Sequence, residues 1–137
     1  MSAVQRIRKE LDKYIRSPSQ LWTLNLYDND ILTWYVIIRN IPSKKHYDKE
    51  YNIRIDFTSD YPFKPPRFVF LSDIKSRFVH NNTICIDILQ DNWSPVLTID
   101  SIIVSICSLL SDENESTKYL PNNDDHMEIL AKRFKAI

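Results

Sequence analysis

The 137-residue chain contains no glycine at any position. Glycine is the residue that most readily adopts a positive backbone φ, so each tight turn that requires this conformation must here use asparagine or aspartate. Two pairs of neighbouring asparagines, Asn81-Asn82 and Asn122-Asn123, are therefore predicted to lie in loops. The chain can adopt only a fold whose turns do without glycine.

The composition is that of a globular domain without charge bias. Apolar residues make up 43% of the chain and aromatic residues 12%, enough to form one hydrophobic core at this length. Eighteen lysines and arginines balance eighteen aspartates and glutamates, so no basic surface for nucleic acid is predicted. We expect a single domain over residues 1–137 and no nucleic-acid partner.

No segment predicts a membrane span or a secretory signal. The longest apolar stretch, 102–110, is interrupted by Ser105 and Ser108 and is far shorter than the about 20 residues that a spanning helix requires. The first 16 residues mix charges and lack a continuous apolar segment. We expect the protein in the cytoplasm, the nucleus or both, with no membrane partner. Its composition also fits an AT-rich genome, such as that of a large virus or a protozoan parasite, and a viral chain would act in the host cytoplasm.

Apolar periodicity predicts a helix followed by a sheet. Apolar residues recur at helical spacing near the start, and Ser17-Pro18 would end this first helix. They are Val4, Ile7, Leu11 and Tyr14. Alternating or β-rich runs follow at 22–27, 32–38, 51–57 and 67–71, separated by polar turns. Consecutive strands with short connections indicate an antiparallel meander.

The apolar period becomes helical again after residue 97. Thr98 is a suitable N-cap, Asp100 lies in the first turn, and an apolar stripe follows at positions 102, 103, 106, 109 and 110. A last short helix is predicted from near Asn123. The order of elements predicts an α+β fold with an N-terminal helix, a four-stranded antiparallel meander sheet, a central helix and a short C-terminal helix.

A long irregular segment, residues 72–97, lies between the fourth strand and the central helix and is the expected place for a functional site. It contains Cys85, one of two cysteines, which are too few for a disulfide framework. From its surroundings alone, Cys85 fits a nucleophile and a small buried apolar residue equally well. Cys107 lies within the central helix, where we expect a buried core thiol.

Two other chemistries for these cysteines find little support. The three histidines, His46, His80 and His126, form no recognised zinc-ligand spacing with the cysteines, so no metal is expected. A cysteine-protease site with His80 as the base, five residues before Cys85, lacks an orienting third group. No cofactor is predicted.

Four sequence blocks resemble, in order and nearly in register, the signature of the ubiquitin-conjugating enzymes. The blocks are Tyr61-Pro-Phe-Lys-Pro-Pro66, Ile84-Cys-Ile-Asp-Ile-Leu89, Trp93-Ser-Pro-Val-Leu-Thr-Ile99 and Ser105-Ile-Cys-Ser-Leu-Leu110. The opening Arg6-Ile-Arg-Lys-Glu-Leu11 is similar to the first helix of that family. Four ordered blocks form a specific signal, whereas each block alone would be weak. The resemblance weakens after residue 110.

The resemblance implies a cysteine that accepts ubiquitin as a thioester. In this ATP-dependent pathway, an activating enzyme passes ubiquitin to the conjugating enzyme, which passes it to a substrate amine or to a ligase cysteine. Cys85 matches the cysteine of the family block, and sulfur suits both transfers because it is a good nucleophile and a good leaving group. The implied partners are ubiquitin, the activating enzyme, a ligase of the RING or HECT type, and protein substrates.

The family also implies roles for residues around Cys85 and on the first helix. Contacts with the ligase and the activating enzyme would use Arg6, Lys9, Pro62, Phe63, Ser94, Pro95 and Val96. Without the family, loop packing and a solvated helix face explain these residues as well. Asp87 would align or deprotonate an attacking amine, and Asn114 and Thr117 would lie in a loop that faces the cysteine. Trp93 would hold the active-site loop.

The chain departs from the family pattern at the asparagine that steadies the loop or the oxyanion. The usual His-Pro-Asn triplet is absent, and two registers are open. In one, Ser76-Arg77-Phe78 takes its place. In the other, His80 is the family histidine, and Asn81 or Asn82 supplies the amide as a catalytic residue in a shortened loop. Only one helix fits between residues 121 and 137, so a C-terminally shortened domain is expected.

Three functions are compatible with the sequence. A ubiquitin-conjugating enzyme is favoured by Cys85 within an intact block. A module of the same fold that binds ubiquitin or a ligase, with weak or no catalysis, is favoured by the loss of the triplet. An α+β interaction domain unrelated to ubiquitin would require all four blocks to be coincidental.

Overall fold

The computed structural model describes residues 2–26 and 30–113. Its two α-helices are α1 (Ala3–Arg16) and α2 (Ile99–Ser111), and a short 3₁₀ helix spans Asp87–Leu89. The strands are β1 (Trp22–Asn25), β2 (Thr33–Ile38), β3 (Tyr51–Asp56), β4 (Arg67–Phe70), β5 (Val79–His80) and β6 (Thr83–Ile84). The predicted C-terminal helix, together with Asn114 and Thr117, lies outside the described residues.

Side-chain caps determine where both α-helices begin. Ser2 caps α1, because its hydroxyl accepts from Gln5 N while the Gln5 side chain accepts from Ser2 N. Thr98 caps α2 through a reciprocal pair of hydrogen bonds with Ser101, and Asp100 lies in the first turn, where the helix dipole favours a negative charge. The predicted start of the central helix is therefore confirmed.

The sheet is antiparallel throughout, with strand order β1-β2-β3-β4-β6-β5. Its first four strands form the predicted meander. Alternate residues of β2 and β3 face the core, as at the paired positions Trp34–Ile55 and Val36–Ile53. Helix α2 contributes six buried residues to this core, and α1 contributes Ala3 and Ile7. The predicted α+β fold class is confirmed.

A short hairpin formed by β5 and β6 extends the sheet beyond the predicted four strands. Val69 pairs with Thr83, and Phe70 N donates to Asn82 O over 2.6 Å. Each strand of this hairpin is two residues long, too short to produce an alternating pattern in the sequence.

Asparagine provides the left-handed backbone conformations in the described part of the chain. Positive φ angles occur at Asn40 (59°), Asn81 (51°) and Asn82 (65°). The last two residues form the two-residue turn between β5 and β6, where two successive positive φ angles match the twist of a hairpin. Asn81-Asn82 therefore lies in a loop, as the absence of glycine predicts.

The buried face of α1 is narrower than the sequence predicts. Ala3 and Ile7 are the buried residues of α1, while Leu11 and Tyr14 are half-buried and Val4 is 38% exposed.

Among the described residues, no helix has the length and apolar character needed to cross a bilayer.

Candidate active site

Cys85 follows β6 directly, at the open end of the β5–β6 hairpin. Its backbone N–H donates to Phe78 O over 2.7 Å, which continues the hairpin ladder by one pair. Its Sγ lies 3.7 Å from Thr83 O, and the residue is exposed. Cys85 is therefore an accessible thiol on an ordered backbone.

Cys107 occupies the opposite environment. It is buried in α2 among the core residues, as predicted, and only 5% of its surface is exposed. Burial raises the pKa of its thiol to about 11, so the thiolate is scarce at neutral pH. Of the two cysteines, Cys85 alone is placed for nucleophilic chemistry.

The hairpin register places Phe78 beside Cys85 and the two asparagines away from it. Phe78 is the backbone partner of Cys85, whereas Asn81 and Asn82 form the exposed turn at the other end of the hairpin. Strand residues advance by about 3.3 Å each, so the turn lies roughly 10 Å along the strand from Cys85. Of the two registers open from the sequence, the one with Ser76-Arg77-Phe78 has a residue paired with Cys85, and the one with Asn81 or Asn82 does not; which of them replaces the triplet stays a prediction.

Asp87 is exposed and opens the 3₁₀ helix two residues after Cys85. The side-chain amide of Asn92 donates to Asp87 Oδ2 over 2.9 Å, and Asn92 N donates to Asp87 O over 3.0 Å. The side-chain bond orients the carboxylate, and the backbone bond holds Asn92 next to it. Asn92 was not anticipated from the sequence, because a loop asparagine has no signal that distinguishes it from a turn residue.

A groove of about 380 Å³ lies beside this segment. Its walls are the stretch after Cys85 and one side of α2, formed by Ile86, Asp87, Ile88, Val104, Ser105, Ser108 and Leu109. The walls are mainly apolar, and Asp87 provides a charged edge. The groove can hold an extended chain or a small acyl group beside the segment that follows Cys85.

Two loops on the α1 side of the molecule expose apolar side chains. Phe63 is 72% exposed, Val96 is 82% exposed, and Pro95 is also exposed. We call these three residues the apolar patch. Ser94 is half-buried beside it. Pro62, predicted to contact partners, is buried, so its side chain cannot belong to this surface.

The same two loops are joined by Trp93. Its indole Nε1 donates to Pro62 O over 3.0 Å, and its ring centroid lies 6.2 Å from that of Tyr61. This contact agrees with the structural role expected for the tryptophan, since it connects the loop after the 3₁₀ helix to the loop that carries Phe63.

Glu10 of α1 anchors both loops and was not anticipated from the sequence. Its Oε1 accepts from Ile99 N over 2.6 Å at the start of α2, and its Oε2 accepts from the Tyr61 hydroxyl. Burial, followed by this bond to Glu10, raises the pKa of Tyr61 well above its ordinary value.

Arg6 acts with Glu10 rather than as a free surface cation. Its Nε lies 3.1 Å from Glu10 Oε2, and its Nη2 donates to Leu97 O over 2.9 Å. The side chain is only 17% exposed, whereas Lys9 on the next turn is exposed. Arg6 therefore supports the loop that carries Pro95 and Val96 through its bond to Leu97 O. Of these two basic residues, Lys9 is the one accessible to a partner.

No cluster of three potential metal ligands occurs within residues 2–26 and 30–113. The chemistry available at this site is that of an exposed thiol, an oriented carboxylate, a groove and an apolar patch.

Comparison with known proteins identifies the family. The sequence model of the ubiquitin-conjugating enzymes matches residues 6–136. The chain belongs to the ubiquitin-conjugating enzyme family. This membership confirms the resemblance drawn from the four sequence blocks and connects the chain with ubiquitin conjugation in general.

Solved ubiquitin-conjugating enzymes have the same fold. The human ubiquitin-conjugating enzyme E2 G1 is 29% identical, with a TM-score of 0.73 over 77% of this chain and 92% of that one. A Plasmodium falciparum ubiquitin-conjugating enzyme E2 is 34% identical, with a TM-score of 0.75 over 82% and 86% of the two chains. A Plasmodium vivax ubiquitin-conjugating enzyme E2 is 35% identical, with a TM-score of 0.72 over 77% and 99%.

Proposed function

We propose that this member of the family is a catalytically active ubiquitin-conjugating enzyme that carries ubiquitin as a thioester on Cys85. The observation that supports this most is the contrast between the two cysteines. Cys85 is exposed at the end of an ordered hairpin and directly precedes the residues that line the groove, whereas Cys107 is buried. A protein of this family that only binds ubiquitin has no need of an accessible thiol at this position.

The proposed reaction has two acyl transfers and no net oxidation. In the first, Cys85 Sγ attacks the thioester carbonyl of ubiquitin on the activating enzyme, and the cysteine of that enzyme leaves as a thiol. In the second, a substrate amine attacks the new thioester, the bond to Sγ breaks, an amide forms and the Cys85 thiol is restored. Transfer to a ligase cysteine follows the same course with sulfur as the attacking atom.

Asp87 is the residue that we propose to act on the attacking amine. An amine must lose a proton as it forms the amide, and the oriented carboxylate can align it or accept that proton. Asn92 limits the rotation of the carboxylate, and the groove beside it offers a place for the end of the ubiquitin chain. Asn114 lies outside the described residues and keeps the catalytic role that the family resemblance implies for it.

The apolar patch and Lys9 are the proposed surface for the ligase and the activating enzyme. Exposed aromatic and apolar side chains at the centre of such a surface supply most of the binding energy when a partner buries them. Ser94 would contribute at its edge. These partners act in the cytoplasm and the nucleus, which is where we infer that the protein works.

The decisive experiment is charging with ubiquitin, activating enzyme and ATP, followed by a non-reducing gel. We expect a thiol-sensitive adduct with the wild-type protein and with Cys107→Ala, and none with Cys85→Ala. A parallel reaction with other ubiquitin-like modifiers and their activating enzymes identifies the modifier. An adduct that survives Cys85→Ala and disappears in Cys107→Ala would refute the assignment.

The second candidate is a binding module of the same fold, favoured by the absence of the His-Pro-Asn triplet. It predicts no adduct under any of these conditions, together with ubiquitin binding that NMR titration detects and that Cys85→Ala leaves unchanged.

A further inference from the structure

Glu113 lies just after the end of α2. It is a buried carboxylate near the segment that contains Cys85, with 1% of its surface exposed. Its backbone is tied at both ends, since its N–H donates to Leu110 O over 3.0 Å and its carbonyl accepts from Ser43 Oγ over 2.6 Å. The Glu113 cluster comprises Ser43, Lys45, His46, Tyr51, Ser76, Arg77 and Glu113.

Each oxygen of this carboxylate has defined partners. Oε1 lies 3.2 Å from His46 Nε2, while Oε2 accepts from Arg77 N over 3.2 Å and lies 3.9 Å from Lys45 Nζ. Because a carboxylate can only accept, Nε2 carries the proton of that bond. The other ring nitrogen of His46 lies 2.6 Å from the Tyr51 hydroxyl.

Burial alone would raise the pKa of Glu113. Hydrogen bonds from His46, the Ser76 hydroxyl and Arg77 N–H, together with the charge of Lys45, outweigh burial and leave the pKa below its ordinary value. Glu113 is therefore ionised at neutral pH, and both of its oxygens act as acceptors.

Through Ser76 and Arg77 the carboxylate reaches the backbone beside Cys85. The Ser76 hydroxyl bonds to Glu113 and also accepts from Phe78 N over 3.1 Å. The carbonyl of Phe78 in turn accepts from Cys85 N over 2.7 Å. An uninterrupted path of short contacts thus runs from Glu113 through residues 76–78 to the backbone of Cys85.

We propose that Glu113 is a positioning residue for Cys85, holding residues 76–78 in the place of the absent His-Pro-Asn triplet. Its carboxylate fixes the start of the strand against which the cysteine is paired. This proposal rests on the proposed function, because it assigns Glu113 a role in discharge of the thioester. A purely stabilising role would leave unchanged the rate at which charged, folded protein loses ubiquitin. The positioning role predicts that this rate changes.

Two variants separate positioning from stability. Glu113→Ala removes both acceptors and releases Arg77 N–H and Ser76. His46→Phe removes the bonds of the ring to Glu113 and Tyr51 and leaves the bond to Arg77 N–H in place. Both should lower the melting temperature, but only the first should affect the backbone beside Cys85.

Glu113→Gln serves as the conservative rescue. Its amide oxygen can accept from Arg77 N–H while its amide nitrogen donates to His46 Nε2, provided that the ring proton moves to the nitrogen facing Tyr51. Asp112→Ala is the matched control, because Asp112 is the neighbouring acidic residue and its side chain is exposed.

The first measurement is hydrogen exchange of the Arg77 and Cys85 amides, which requires no activity. Glu113→Ala should accelerate exchange at both amides, and the other three variants should leave it close to wild type. Unchanged exchange in Glu113→Ala would overturn the proposal, because residues 76–78 would then be held by other contacts.

The second measurement is the first-order discharge of protein already charged with ubiquitin, at a temperature where every variant is folded. Only charged, folded molecules contribute, so a loss of stability alone does not alter this constant. We expect Glu113→Ala to be slower by about tenfold, because a displacement of about 1 Å can cost up to about a hundredfold in rate. Glu113→Gln, His46→Phe and Asp112→Ala should remain within about threefold of wild type.

The outcomes distinguish this proposal from the proposed function. A wild-type chain that never charges overturns the proposed function and the role of Glu113 in discharge together, while the exchange data still decide whether Glu113 holds residues 76–78. Normal charging with equal discharge of wild type and Glu113→Ala overturns the positioning role alone. Discharge that falls equally in His46→Phe and Glu113→Ala also overturns it, because the rate would then follow the stability of the cluster.

Discussion

Asn81 and Asn82 form the turn of the hairpin, and we interpret them as residues that serve the backbone rather than as catalytic amides. Both have positive φ, and both are exposed in the turn between β5 and β6. Residues with a Cβ pay roughly 1–2 kcal/mol in this conformation, and asparagine tolerates it better than most because its side chain can bond locally. Their position therefore explains the residue type without a catalytic amide.

Replacing each asparagine by glycine and by alanine tests this interpretation. Asn81→Gly and Asn82→Gly remove the amide but keep the backbone conformation, so discharge of the thioester onto free lysine should stay at the wild-type rate. The alanine variants should lose about 1 kcal/mol of unfolding free energy, measured by denaturant titration. A drop of about a hundredfold in one glycine variant would instead identify that asparagine as an oxyanion donor.

Individual residues were predictable where the local sequence pattern around them indicates their environment. Cys85 could be selected from the sequence because of the family block around it, and the core position of Cys107 followed from the helical stripe. Glu10 and Glu113 could not be selected, because a carboxylate on a helix or just after one has the same local pattern whether it is solvated or buried. Their partners are supplied by segments that are distant in the chain.

At the scale of elements, α1 and the start of α2 form a platform for the two loops of the apolar patch. Glu10 joins α1 to Ile99 and Tyr61, and Trp93 joins the loops to each other. The exposed side chain of Phe63 therefore projects from a loop fixed at several points. A rigid aromatic anchor loses little side-chain entropy when a partner covers it.

Phe63→Ala should weaken the ligase interaction without affecting the fold. Truncating a central aromatic anchor commonly costs about 2 kcal/mol, or about thirtyfold in affinity. Charging by the activating enzyme should remain near the wild-type level, while ligase-stimulated discharge should fall, as measured with a responsive ligase at limiting concentration.

Leu71→Ala is the matched control for this experiment. Leu71 is also an exposed apolar residue, 50% accessible, but it directly follows β4 and lies outside the apolar patch. An equal loss of ligase stimulation in both variants, or none in either, would contradict the assignment of the patch.

Elements with long periodic patterns were predictable, and the short hairpin was not. Helix α2 and strands β2 and β3 each contain several residues on a buried face, so their patterns identify them. The two-residue strands β5 and β6 form because β4 offers an unpaired edge and because Asn81-Asn82 turns the chain. Neither condition is visible within the segment itself.

For the whole molecule, a carboxylate anchors each end of α2: the partly buried Glu10 at its start and the buried Glu113 at its end. Glu10 accepts from the first turn of the helix, and Glu113 anchors its end to the Glu113 cluster. Lys45 is the cation that faces Glu113, the His46 ring lies against the other carboxylate oxygen, and Tyr51 lies beyond the histidine. Burial, followed by the charges of Glu113 and Asp48, raises the pKa of Tyr51 to about 12, so it stays neutral through the physiological range.

The lowered pKa of Glu113 makes the stability of the fold sensitive to acid. Its ordinary value is 4.5, and the folded protein holds the pKa below this value, so the unfolded chain binds more protons near that pH. The stabilisation is present above about pH 4.5 and is lost as the pH falls through the folded pKa. Glu113→Gln should therefore lose about 2 kcal/mol at neutral pH, and the difference from wild type should shrink in acid.

Denaturant unfolding of wild type and Glu113→Gln at a series of pH values measures this difference. Glu50→Gln is the control, because Glu50 forms an exposed pair with Arg39, and such pairs contribute little. A difference for Glu113→Gln that stays constant from neutral pH to about pH 3 would contradict the assigned pKa direction.

The backbone without glycine also changes the state from which the protein folds. Each glycine gives an unfolded chain extra conformations that folding must remove, and replacing one at a compatible site gains about 0.4–1 kcal/mol. This chain begins from a narrower denatured ensemble at all 137 positions and accepts left-handed asparagines in its tight turns. Replacing Asn81 or Asn82 by glycine lowers the conformational cost of the folded turn but enlarges the denatured ensemble. The two effects on the free energy of unfolding therefore oppose each other.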